Sequence, residues 1–229
     1  MSTTEAHPAG SPGDNEAPAR SPRRDRARNR AALLAAARAA FAEHGLAASL
    51  QQIARDAGVA IGTLYRHFPT RDDLMLAVFA GKLDRVARTG EQALTDPDPW
   101  AGFTRFVETL CALAADDLGF NELTSIDRPA RGDAAAVRSN IHQLWQQLLT
   151  RAQEAGALRP DLVLGDMFVL LWSQSRIIEA TYGVAPQAWR RHLYLMLDAY
   201  RAEGARPLPV PPLTGVQMEQ ATARLNRVP

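Results

Sequence analysis

Cysteine occurs once in these 229 residues, as Cys111, and lysine once, as Lys82. A lone thiol excludes an internal disulfide and suits a reducing compartment. No apolar run approaches the roughly 18 residues of a membrane span, and Met1 to Gly13 lacks the apolar stretch of a signal peptide. The expected location is therefore the cytoplasm, with no membrane partner. The five histidines are scattered, no two of them three or four residues apart, so no helix-borne metal pair is expected. Neither a glycine-rich phosphate loop after a strand nor a G-x-S-x-G elbow is present. Cys111 lies within an apolar helical face and reads as a buried thiol rather than a nucleophile. Asp116 and Asp117 are adjacent, so on a helix they diverge, and a solvated turn accounts for them better than a catalytic pair. The expectation is a protein with no catalytic residue, no metal and no cofactor. Alternation with hairpin signals is missing too, which argues against strands and for an all-α fold.

The composition, 46% apolar and 22% charged, is that of an ordinary globular protein. Its net charge of +1 hides an uneven distribution. Residues 1–19 carry three acids and no base, residues 20–88 carry 13 bases and 6 acids, and residues 89–229 carry 13 bases and 16 acids. Positive charge is thus concentrated in one segment, the footprint of a phosphate-binding surface. Its densest part, Arg20 to Arg30, reads either as a solvated helix start or as a flexible basic arm that neutralises phosphates. Residues 1–25 have the Ala, Pro, Gly and Ser content of a disordered tail ending in that basic run.

Ser49 to Phe68 reads as two short helices joined by a tight turn. Ser49 is a natural N-cap, and Gln52 stands where a capping box places its reciprocal partner. Leu50, Ile53, Ala54 and Ala57 form one apolar face, Gly58 suits the positive φ of a sharp turn, and Leu64 and Phe68 resume helical spacing. Thr63, Tyr65, Arg66 and His67 are left as outward groups. This is a helix-turn-helix pattern, whose second helix would enter a major groove. A helix with Leu33, Leu34, Ala37, Ala40 and Phe41 precedes it and ends at His44-Gly45. Another follows, capped by Thr70 with Asp73 and running from Arg71 to about Ala93.

The segments A-A-L-L-A-A-A-R-A-A-F-A-E-H-G, L-Q-Q-I-A-R-D-A-G-V, G-T-L-Y-R-H-F and T-R-D-D-L resemble the DNA-binding domain of TetR-type (tetracycline-repressor-like) transcriptional regulators. The resemblance covers roughly Arg28 to Phe79, with Arg71 standing where the family usually has lysine; the charge is kept but the fork geometry differs. It implies a homodimer on double-stranded DNA with a near-palindromic operator, more often a repressor. It also implies a C-terminal domain that binds a small organic effector or answers another signal. Ser49 and the start of its helix would then meet phosphate, Gln51 and Thr63 base edges, and Tyr65, His67 and Arg71 the DNA backbone, with Arg66 also among the DNA-binding residues. For Tyr65 the alternative is packing between helices. The family varies most at the tip of the recognition helix, here Ile61 and Gly62, so readout would lean on methyl contacts and DNA shape.

The expected organisation is a tail over 1–25, a DNA-binding domain over 26–86, a helical effector-binding and dimerisation domain over 87–203, and a Pro-rich tail over 204–229. Asp98 caps and Pro99 opens a helix with Trp100, Phe103, Val107, Leu110 and Ala114 on one face. Further helices carry Val137 to Ala152, Met167 to Ile178 and Trp189 to Tyr200. After Pro207 to Pro212 the tail reads either as wrapping the C-terminal domain, with a short helix around Val216 to Leu225, or as disordered. Trp100, Phe103, Trp145 and Trp172 are candidate walls of an effector pocket, with Arg176 as partner for a ligand carboxylate. In the alternative, these aromatics fill the core and Arg176 pairs with Glu179. The family's dimer is a four-helix bundle of the last two long helices, which carries the interface to Trp189, Leu193, Leu197 and Tyr200. The rival reading is a constitutive or architectural DNA-binding dimer without a ligand. A filled C-terminal core would favour that rival, and a cavity beneath the fourth helix would favour the regulator.

Overall fold

The computed structural model describes residues 22–125 and 132–225. They form α1 (Pro22–His44), α2 (Leu50–Asp56), α3 (Ile61–His67), α4 (Arg71–Leu94), α5 (Pro99–Ala115), α6 (Leu118–Ser125), α7 (Asp133–Glu154), α8 (Leu164–Thr181), α9 (Ala188–Tyr200) and α10 (Gly215–Leu225). The described residues contain no strand, only an isolated bridge between Leu158 and Arg201. The fold is all-α, with an N-terminal helix-turn-helix unit and a C-terminal helical unit. No helix of the described residues is long and apolar enough to cross a membrane.

Alanine, the strongest helix former, dominates α1. This helix starts at Pro22, so Arg23, Arg24, Arg26, Arg28 and Arg30 are helical and the flexible-arm reading fails for them. Residues 1–21, which hold Arg20 and most of the expected tail, lie outside the described residues. At α2, Ser49 Oγ accepts from Gln52 N at 3.3 Å, yet Gln52 does not reach back. Its amide donates to Asp56 Oδ1 at 2.6 Å and its oxygen accepts from Arg55 Nε at 3.2 Å. On so short a helix these partners lie one turn away and win over the capping box. The box does form at α4, where Asp73 N donates to Thr70 Oγ1 at 3.1 Å and Thr70 N to Asp73 Oδ2 at 2.9 Å. Asp98 caps α5, accepting from Trp100 N at 2.9 Å and Ala101 N at 3.2 Å.

Helix α6 has no counterpart in the sequence pattern. Asp117 starts it, its Oδ1 accepting from Phe120 N at 3.1 Å, while its other oxygen meets Lys82 Nζ at 3.0 Å. Asp117 is thus an employed carboxylate rather than a solvated turn residue. Helix α6 joins the two halves of the chain. Phe41 of α1, Phe79 of α4 and Phe120 of α6 pack in series, with centroids 6.1 and 5.8 Å apart. Asn121 Nδ2 donates to Ser175 Oγ of α8 at 2.9 Å within the core. Helix α4 runs through both units: Leu74 is buried near its start and Val86 and Ala93 further along, and it packs most extensively on α5 and α7. Residue 86, expected as a boundary, falls inside it.

Cys111 is fully buried in α5, and burial, with the nearby Glu108 charge, pushes its thiol up to about 12. A thiol-exchange dye at pH 8 should therefore leave the native protein unlabelled and label the denatured chain once. Rapid labelling of the native protein would contradict this packing.

Candidate nucleic-acid interface

Gly58, at φ +68°, makes the turn that brings α3 across α2. Ile53, Ala54, Leu64 and Phe68 are buried between the two helices and α1, which fixes the outward face of α3. Ile61 (36% exposed) and Tyr65 (49% exposed) stand on that face, with Gly62 and Arg66 exposed and Thr63 half-buried beside them. Tyr65 is therefore not packed away between helices. Gln51 is exposed on α2, and Ser49, whose oxygen serves as the cap acceptor, keeps its hydroxyl proton to donate. His67 lies where α3 meets α1, and Arg30 sits 5.3 Å over the neighbouring Phe68 ring. Partial burial first, then the charges of Arg26 and Arg30, hold the imidazole below its usual 6.5. At neutral pH His67 is thus a neutral hydrogen-bonding group rather than a cation.

Arg71, expected as a phosphate anchor, also makes contacts within the chain. Its Nη1 donates to Leu46 O at 2.7 Å and to Ala48 O at 2.8 Å. The guanidinium thus reaches back to the turn ahead of α2, one nitrogen serving both carbonyls. The amide of Leu46 is held from the other side, donating to Glu122 Oε2 of α6 at 2.7 Å. Sequence reading missed Glu122 because its partner lies 76 positions away and is a backbone atom. The turn that orients the helix-turn-helix is therefore gripped by α4 and by α6.

Those two helices also wall a cavity of about 350 Å³. Met75, Leu76, Leu83 and Val86 of α4, Leu110 of α5, Phe120 and Leu123 of α6, Trp145 of α7 and Leu171 of α8 supply apolar surface. Thr124, Ser125 and His142 bring polar groups, and Asp72, Arg138 and Glu219 bring charge. Of the five residues expected to build a pocket, only Trp145 lines this one. Phe103 is buried in aromatic packing, 6.4 Å from Trp145 and 6.1 Å from Trp100, and Arg201 covers Trp100 at 4.4 Å. Trp172 is half-buried on α8 away from the cavity, and Arg176 is exposed and paired with Glu179 at 2.8 Å. For Phe103 and Arg176 the core-and-ion-pair alternative is what the structure contains.

Of the four expected interface residues, three are already covered within the chain. Trp189, Leu193 and Leu197 are buried within the single chain, where α9 packs on α8 and α5. Tyr200 is half-buried, its phenol pushed up to about 12 by burial and then by Asp166. The large apolar residues left exposed on these helices are Val169 and, on α9, Tyr194 and Leu195. Tyr194 is engaged through its hydroxyl with Glu108 Oε2 at 3.1 Å.

Comparison with known proteins accords with this architecture. Residues 33–78 match the family described as bacterial regulatory proteins, tetR family. Residues 98–202 match the C-terminal domain of SbtR-like transcriptional regulators. A TetR transcriptional regulator from Streptomyces coelicolor is 30% identical over 75% of this chain and 98% of its own, with a TM-score of 0.46. The TetR transcription regulatory protein from Mycobacterium vanbaalenii is 30% identical over 78% of this chain and 98% of its own, TM-score 0.45. The regulator FadR from Bacillus subtilis, solved with stearoyl-CoA, is 19% identical over 73% of this chain and 96% of its own, TM-score 0.55. With its helix-turn-helix, its helical C-terminal unit and matched domains over both, the chain belongs to the TetR family of bacterial transcriptional regulators.

Proposed function

We propose that this protein is a cytoplasmic homodimeric repressor, released from a near-palindromic operator when a small organic effector enters the cavity beneath α4. The observation that carries this is the double use of α4 and α6. The same two helices wall the cavity and hold the turn at Leu46, through Arg71 and Glu122. A ligand that spreads α4 from α6 therefore changes the hold on the helix-turn-helix, which is the differential contact an effector needs. A ligand-free architectural protein has no use for an apolar cavity at that junction.

Gln51 and Thr63 meet base edges in this reading, while Ser49, Tyr65, Arg66 and neutral His67 position the DNA backbone. Arg71 acts at one remove, by ordering the turn. The ligand is a medium-sized, largely apolar molecule. Thr124 and Ser125 spend their hydroxyl protons on Asn121 O and Glu122 O, so they offer the cavity acceptor oxygens. A ligand bearing a hydroxyl or N–H group suits them. Dimerisation uses the outward faces of α8 and α9, with Val169, Trp172 and Leu195 as its apolar contacts. The test is a genome-wide pull-down of bound DNA followed by binding to the recovered sites. A shared site with two symmetric halves a whole number of helical turns apart supports the reading. Recovery of DNA with no common motif would reject it.

A further inference from the structure

Helix α10 lies beyond the matched C-terminal domain, which ends at residue 202. It nevertheless forms part of the cavity wall, through Gly215, Met218 and Glu219. Met218 reaches α8 where Gly165 has no side chain; a β-carbon there would lie 3.2 Å from Met218 Cε. We propose that α10 is a lid on the effector cavity, which undocks to admit ligand and closes behind it. This rests on the cavity being the effector site.

Three observations make α10 a movable wall. Its buried face is thin: Met218, Ala221, Thr222 and Leu225 are its only residues that are not exposed. At the centre of that face Thr222 Oγ1 is buried without a hydrogen-bond partner among the described residues. An unsatisfied hydroxyl opposes docking. The connecting segment, residues 203–214, is exposed throughout, yet its root is fixed. Arg159, paired with Asp161 at 2.6 Å, donates to Arg206 O at 2.7 Å, and Leu208 N donates to Asp161 Oδ2 at 3.3 Å. At the far end Thr214 and Gln217 cap α10, with Thr214 N donating to Gln217 Oε1 at 2.9 Å. Between the pin and the cap lies a short passage containing Pro209, Pro211 and Pro212. A stiff arm with a pinned root and a weakly held helix has one soft motion, the swing of the helix off the mouth.

The probe for the test is anilinonaphthalene sulfonate, an aromatic anion that brightens on leaving water. Stopped-flow rates are compared for the full chain, a chain ending at Leu208 and full-length Thr222→Arg, which puts a charge in the docked face. Ala134→Trp, which fills the cavity, serves as the occupancy control. If entry requires an open state held by about a tenth of molecules, both lid variants should bind the probe about ten-fold faster. They should also release it faster, while Ala134→Trp loses the signal. Wild-type rates in Thr222→Arg overturn the lid even if the truncated chain does not fold. A signal that survives Ala134→Trp puts the probe outside the cavity and overturns the effector-site reading along with the lid. Unchanged rates with the signal lost in Ala134→Trp overturn the lid alone.

Discussion

Glutamate at Leu193 or Leu197 should unfold the C-terminal half of the protein, whereas glutamate at Val169 and Leu195 together should give a folded monomer. Leu193 is 0% exposed and Leu197 2%, both within one chain. Removing such a side chain costs about 2–5 kcal/mol, and burying an unpaired carboxylate in its place costs more. That is comparable to the whole stability of a typical domain, roughly 5–15 kcal/mol. Val169 is 41% exposed and Leu195 55%, so a carboxylate at either remains in water and the fold is spared. What it should disrupt is the proposed apolar contact between copies. Losing the second half-site should weaken operator binding by about 100-fold or more. Thermal unfolding and light scattering separate the two outcomes. A folded monomer from Leu193→Glu, or an intact dimer from the surface pair, would contradict this placement of the interface.

The second large effect concerns DNA. Tyr65→Ala with Arg66→Ala should weaken binding broadly across sequences, and the logarithmic salt slope should shrink by about 0.9 for each phosphate no longer neutralised. Thr63→Ala and Gln51→Ala should instead relax preference at particular bases, by about 1–3 kcal/mol each. Arg71→Ala is the informative contrast. Its guanidinium serves Leu46 O and Ala48 O, so its loss should lower affinity through a disordered turn with the salt slope unchanged. A slope reduced by about 0.9 in that variant would restore Arg71 as a phosphate anchor. Operator affinity untouched in the Tyr65/Arg66 double variant would reject α3 as the reading helix.

What the sequence made legible was local. The turn at Gly58, the box of Thr70 with Asp73 and the cap of Asp98 ahead of Pro99 all depend on neighbours a few positions apart, and α4 and α5 could be bounded from them. Helix α6 escaped because Leu118–Ser125 is short, carries Gly119 and is about half polar, so no face repeats often enough to announce it. Leu193 and Leu195 look alike in sequence, and only the packing of α9 on α8 decides which is core. The lining of the cavity escaped for a similar reason. Its lining comes from several helices, and aromatic residues mark cores as readily as ligand walls. Arg71 and Glu122 were beyond reach because both bond to backbone atoms of a turn distant in the chain.

That last feature bears on how such proteins can be recombined. The atoms of the turn that receive Arg71 and Glu122 are Leu46 N, Leu46 O and Ala48 O, all main-chain. The grip therefore depends on the path of the turn and not on the identity of the residues that read DNA. A different pair of short helices, grafted behind the same turn, would be seated by the same two side chains. New operator preferences can in this way be attached to the existing sensing unit, with Arg71, Glu122 and the length of the 45–48 turn as the joint to preserve.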